Sequence, residues 1–149
     1  MIDPIRANLF DPMFDDHVRV IPVNCIGVMG KGLAKDAREH WPALNAPYQQ
    51  LCRDKALRPG EAVKMKGIPV ILAATKDHWK QPSQLAWIEQ LIGISLVAVA
   101  HTQKKPLVIP ALGCGLGGLN WKDVLQLIEQ HHRQYPETTI WLQPDGFIR

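Results

Sequence analysis

Two glycine-rich segments, each directly after a short apolar run, carry the chemistry that can be read first from this sequence. One is Val20-Ile21-Pro22-Val23-Asn24-Cys25-Ile26-Gly27-Val28-Met29-Gly30-Lys31-Gly32. The other is Leu107-Val108-Ile109-Pro110-Ala111-Leu112-Gly113-Cys114-Gly115-Leu116-Gly117-Gly118-Leu119-Asn120-Trp121. Glycine lets the backbone come close to a ligand and turn its N–H groups toward one point, an arrangement that suits phosphate. Two such loops in a short chain point to a ligand with more than one phosphate, held between strand ends and helix starts.

Two familiar phosphate motifs fail on detail. Gly30-Lys31-Gly32 has the Gly-Lys of a P-loop, but Cys25 stands where its first glycine belongs and Gly32 replaces the Ser or Thr that holds Mg²⁺. The second segment matches G-x-G-x-x-G at Gly113, Gly115 and Gly118, yet only 31 residues follow Gly118. That is too few for the remaining strands of a dinucleotide domain in its usual order. Cys25, Cys52 and Cys114 form no CxxC pair, so neither a zinc site nor a disulfide framework is expected. Cys25 and Cys114 sit where a small residue is needed for packing, without a His nearby in sequence to activate them. His131-His132 closes a helical stretch, where a cation suits the macrodipole and no metal is required.

The bulk properties fit these local signals. A chain of 149 residues, 46% hydrophobic and 21% charged, is expected to build one globular domain over residues 1–149 with its own core. A net charge of +3 permits a nucleic-acid partner without arguing for one. The N-terminus lacks a signal-peptide apolar stretch, and Leu91–Ala100 is about half the length of a membrane span, so a cytoplasmic protein without a membrane partner is expected.

The elements that must position the loops follow from periodicity. Ile5–Leu9, Val18–Val23, Ala62–Met65, Val70–Ala74, Leu107–Ile109 and Thr139–Leu142 read as strands. Ala62–Met65 and Val70–Ala74, joined by Lys66-Gly67-Ile68-Pro69, read as a hairpin. Helices are expected over Gly32–His40, stopped by Pro42, and over Ala46–Ala56. A third begins after Pro82-Ser83 with Leu85, Ile88, Ile92 and Val99 on one stripe. A fourth has Asn120 as N-cap and Val124, Leu127, Ile128 and His131 on one face. Alternating strands and helices predict a three-layer α/β/α fold with a central mixed, mostly parallel sheet, and both glycine loops at strand ends.

Four segments together resemble macrodomains, the ADP-ribose-binding α/β/α modules, and most of all the branch with the DarG antitoxin macrodomain and the terminal ADP-ribose glycohydrolase. They are Ala7–Phe10, Val23–Gly32, Ala74-Thr75-Lys76-Asp77-His78-Trp79 and Pro110–Trp121, in the family's order from about residue 5 to residue 142. The resemblance implies that the first loop packs along the distal ribose and that the second wraps the diphosphate with backbone amides. The ligand-binding positions it implies are Asn8, Leu9, Cys25, Gly30, Lys31, Gly32, Thr75, His78, Gly113, Cys114, Gly115, Leu116 and Gly117. Asn8 stands where relatives often place an acid near adenine, and its amide oxygen would accept from the adenine amino group more weakly.

The catalytic residues implied are Lys76 and Asn24. A lysine is inert when protonated, and burial or a neighbouring cation such as Lys31 would lower its pKa and free a nucleophile or base. Asn24 would position the distal ribose. Trp79 is a candidate for stacking on a base or ribose. The glycohydrolase relative carries an aspartate where this chain has Gly117, whereas the DarG type has glycine, so DNA is preferred to protein as the carrier of ADP-ribose. An ADP-ribose 1″-phosphate phosphatase using His78, and a reader without turnover, are the alternatives. The resemblance implies no metal and no cofactor, a toxin partner acting in trans, and a monomer.

Overall fold

A computed structural model describes residues 4–102, 107–115, 117–134 and 139–144. Its centre is a five-stranded sheet: β1 (Val18–Val23), β2 (Ala62–Lys64), β3 (Val70–Ala74), β4 (Leu107–Ile109) and β5 (Thr139–Trp141), in the order β2-β3-β1-β4-β5. Only β2 runs antiparallel, paired with β3 as the hairpin reading expected. Around the sheet lie α1 (Gly32–His40), α2 (Asn45–Arg53), α3 (Leu85–Thr102) and α4 (Trp121–His132). The architecture is the mixed α/β/α fold anticipated from the sequence.

Burial on both faces explains why the strands are continuous apolar runs. Side chains alternate across a strand, so each run feeds two cores. Ile21, Val23, Val70, Leu72, Ala74 and Val108 join Ala34, Ala37, Leu44 and Tyr48 under α1 and α2. Val18, Val20, Ile71, Ala73, Leu107 and Ile109 meet α3 and α4 on the opposite face. On α3 the buried stripe is Ile88, Leu91, Ile92, Ser95 and Leu96, a spacing of i, i+3, i+4, i+7 and i+8. Leu85, placed on that stripe from sequence, is exposed, and Val99 lies outside the residues whose side chains are described. Asn120 caps α4 as expected, its side chain accepting from the Lys122 N–H, and Val124 and Ile128 are buried.

One expected strand does not form. Ile5 makes a single parallel bridge to Leu142, with Ile5 N–H donating to Trp141 O and Gln143 N–H to Ile5 O. Beyond it the chain turns: Asn8 Oδ1 accepts from Phe10 N–H at 2.8 Å and Asn8 O from Asp11 N–H at 3.0 Å. An Asx turn thus takes the bonds a strand needs. Helix α2 is likewise shorter than Ala46–Ala56, because the chain leaves it at Asp54 and reaches positive φ at Lys55.

The sheet order fixes where a ligand can enter. After β1 the chain passes to the edge strand β2 and returns to β3 beside β1, then α3 carries it across to β4 on the other side of β1. The strand order therefore reverses between β1 and β4, the position at which open α/β sheets hold ligands. β1 pairs with β4 only at Val18–Leu107 and Arg19–Val108, so the strands part before Pro22. Pro22 has no N–H to donate and is tolerated there because it has a partner on one side alone, Ala73 of β3.

Candidate functional site

A cavity of about 760 Å³ opens where β1 and β4 part. Such a volume suits a dinucleotide-sized ligand. Its lining gathers the chain from six places at the carboxyl ends of the strands. Asn8 and Leu9 come from the N-terminal turn, Asn24 from the end of β1, and Gly30, Lys31 and Gly32 from the start of α1. Thr75 and Lys76 follow β3, Gly113, Cys114, Gly115 and Gly117 follow β4, and Gln143 follows β5. Cys25 and His78 do not line it, and Leu116 lies outside the described residues.

Both glycine segments present unsatisfied donors. Within the second loop, Leu112, Cys114, Gly118 and Leu119 each donate an N–H to a carbonyl of the same loop or the strand end before it. The N–H groups of Gly113, Gly115 and Gly117 alternate with these and meet no protein acceptor among the described residues. At the first loop, the N-cap Lys31 makes no side-chain cap, and the first turn of α1 holds no acid. The first N–H groups of a helix need a partner and carry the positive end of its dipole. Two sets of open donors on one cavity make a cradle for an anion with charge at two positions.

Asn24 is buried, 7% exposed, and its amide shapes the first loop. Nδ2 donates to Val28 O at 2.8 Å, while Oδ1 accepts from Ile26 N–H at 3.2 Å and Val28 N–H at 3.3 Å. The buried Tyr48 hydroxyl on α2 adds the brace from below, 2.8 Å from both Asn24 O and Asn24 Oδ1. No local sequence pattern links Asn24 to a tyrosine 24 residues away, so sequence reading missed it. Removing a hydroxyl from a buried bond of this kind costs about 1–2 kcal/mol. Tyr48→Phe is therefore expected to lower unfolding stability by about that amount in a denaturant titration and to weaken ligand binding with it.

Lys76 stands at the cavity mouth, half-buried, with Nζ donating to Trp79 O at 3.3 Å. Burial lowers its pKa from the usual lysine value, and the push expected from Lys31 does not figure in the shift. The thiols respond in the opposite direction. Burial first, then the Cys52 thiol and the Asp77 and Glu61 carboxylates, push Cys25 up to about 12. Burial raises Cys114 to about 11. Both remain protonated near neutrality and neither is a nucleophile. At Lys76 burial acts in the direction of the neutral, reactive amine.

The His78 ring turns away from the cavity into the following turn. Its Nδ1 accepts from Lys80 N–H at 3.1 Å, and the ring stacks against Trp79 at 5.5 Å between centroids. Conversely, the cavity includes residues the sequence reading passed over, among them Asp36 and Arg6. Asp36 follows Gly32 by one helical turn, so helical phase was the signal that could have placed it there.

A family model described as Macro domain matches residues 20–128. The chain belongs to the macrodomain family. Among relatives of this macrodomain, a DNA ADP-ribosyl glycohydrolase of Mycobacterium tuberculosis is 30% identical over 136 residues, 87% of this chain and 39% of that protein. A DNA ADP-ribosyl transferase-DNA ADP-ribosyl glycohydrolase fusion protein of Thermosipho africanus is 33% identical over 127 residues, 70% of this chain and 32% of that one. The solved macrodomain of Mycobacterium tuberculosis DarG superposes with a TM-score of 0.85 at 28% identity, covering 98% of this chain and 99% of the other. This macrodomain thus spans at most about two fifths of the length of the curated relatives it matches.

Proposed function

We propose that this macrodomain binds ADP-ribose and hydrolyses its linkage to DNA. The observation that carries the reading is one cavity lined by two donor-rich glycine loops with Lys76 at its mouth. The loops hold the diphosphate, and Asn24 fixes the shape of the first loop along the distal ribose. The unprotonated Lys76 amine attacks the anomeric carbon of that ribose. A C–N bond forms to Nζ as the bond to the DNA base breaks and the base takes up a proton. Water then cleaves the adduct, which releases ADP-ribose and restores the amine. The names of the relatives support DNA as the carrier, and the fusion protein supports a DNA ADP-ribosyl transferase as the toxin partner. No helix among the described residues is long and apolar enough to cross a membrane, and the proposed DNA substrate supports a cytoplasmic location.

The phosphatase alternative loses ground because His78, its acid or base, does not line the cavity. The deciding experiment offers the purified protein ADP-ribosylated single-stranded DNA, ADP-ribosylated protein and ADP-ribose 1″-phosphate, with each product assayed by chromatography. Release of ADP-ribose from DNA is the expected result. Binding of free ADP-ribose with no turnover of any substrate would reduce the protein to a reader. Failure to bind ADP-ribose would overturn the ligand assignment.

A further inference from the structure

Four of the five tryptophans are buried or half-buried, whereas Trp79 is 45% exposed. Its indole lies at the rim of the ligand cavity, beside Lys76. Three contacts hold it in place. His78 stacks on it with ring planes 29° apart, the Lys80 ammonium lies 5.0 Å from the ring centroid, and the Trp79 carbonyl accepts from Lys76 Nζ. The bond from Lys80 N–H to His78 Nδ1 closes the turn, so the platform and the reactive lysine are parts of one ordered segment.

We infer that Trp79 is the stacking platform for the nucleobase that carries the ADP-ribose, and thereby a specificity-determining residue for a nucleic-acid substrate. The inference rests on the proposed function and extends it from the ADP-ribose half of the substrate to the half that leaves. Lys76 must reach the anomeric carbon, so the atom bonded to that carbon sits beside Lys76. What lies beyond that atom leads out through the cavity mouth, where Trp79 lines the rim and is partly open to water. A flat base fits an exposed aromatic face, and base–aromatic stacking contributes to single-strand binding whatever the sequence. The exposed Lys80 ammonium, now resting over the ring, leaves that face to the base and meets the adjoining phosphate. A protein side chain as carrier has no comparable use for a broad aromatic plane flanked by a cation.

The test compares Trp79→Ala and Trp79→Phe with the unchanged protein, using an ADP-ribosylated single-stranded oligonucleotide, an ADP-ribosylated protein and free ADP-ribose. Binding is read by anisotropy on a Lys76→Ala background, so it does not depend on turnover, and kcat and KM are measured with Lys76 present. Trp79→Ala is expected to weaken oligonucleotide binding and raise its KM roughly 10- to 100-fold, the fold-change that a stack of about 1–3 kcal/mol represents. Phenylalanine should restore most of the loss, and any loss of affinity for free ADP-ribose should be several-fold smaller than the loss for the oligonucleotide. An equal loss for free ADP-ribose would show that Trp79 only shapes the cavity, and would overturn the inference. So would an equal loss on the protein substrate, or no loss on the oligonucleotide. If the unchanged protein binds the oligonucleotide but never releases ADP-ribose, the hydrolase reading fails while the platform stands. If it binds the modified oligonucleotide no better than free ADP-ribose, the platform fails.

Discussion

Replacing Lys76 by alanine is expected to abolish release of ADP-ribose from DNA while leaving free ADP-ribose bound. The two halves of that result have separate physical origins. Affinity comes from backbone donors on the two loops, which the substitution does not touch. Turnover requires a neutral amine, and covalent catalysis is lost with the nucleophile, a fall of at least about 10²–10⁴ for a single reacting group. Lys76→Arg should fail equally, since guanidinium stays protonated at every accessible pH. The pH profile supplies an independent check. Burial destabilises the ammonium form and lowers the pKa, so the rate should rise with pH and level off below the pH that an ordinary lysine with a pKa of 10.5 would need. A nucleophilic lysine should also be trapped on substrate by borohydride, with the adduct located at Lys76 by mass spectrometry. Normal turnover by Lys76→Ala would remove the lysine from the mechanism even though the activity survived.

The parts of this site that were legible in the sequence are those encoded locally. An apolar run followed by glycines specifies a strand end and a loop within a dozen residues, and both loops lie where that pattern placed them. Lys76 was reached only through the resemblance to macrodomains, because a lysine after a strand has nothing in its own neighbourhood that marks it as reactive. The role of Asn24 depends on Tyr48, which α2 brings under the loop, and only the tertiary fold creates that contact. His78 and Cys25 show a different limit. In the turn after β3, Lys76 and Trp79 line the cavity and His78 between them does not, and no periodicity governs an irregular turn. Ile5–Leu9 had a strand-like apolar pattern, but the Asn8 side chain offered its backbone a competing set of hydrogen bonds.

Placing aspartate at Gly117, as in the protein-directed glycohydrolase relative, is expected to destroy the diphosphate cradle rather than add a catalytic carboxylate. A Cβ at this position would lie 2.5 Å from Gly113 O, 2.5 Å from Ser83 Oγ and 2.8 Å from Gly113 Cα. Two of those atoms belong to the backbone, so no rotamer change relieves the overlap. The loop must open, and it is held closed by Leu119 N–H on Gly113 O at 2.8 Å and Ser83 N–H on Gly117 O at 3.0 Å. Gly113 cannot easily yield, since it has φ of +76° and Leu119 Cδ1 already packs against its open side. Each charge-assisted bond from the loop to a phosphate is worth roughly 1.5–3 kcal/mol, so losing even one weakens ADP-ribose binding by about tenfold or more. Overpacking adds about 1–3 kcal/mol of lost stability. Gly117→Ala, which keeps the Cβ and omits the charge, should lose nearly as much affinity in a calorimetric titration as Gly117→Asp, because the clash is common to both. Gly115→Ala is the contrast: its Cβ would meet nothing within 4 Å, so stability should hold. Wild-type affinity in Gly117→Ala would mean that the loop reorganises freely and that its closed form does not set binding. The glycine therefore marks more than a missing acid. The packing of Ser83 and Gly113 around position 117 leaves no room for a side chain there, which agrees with the proposed lysine-based site and a loop that holds phosphate.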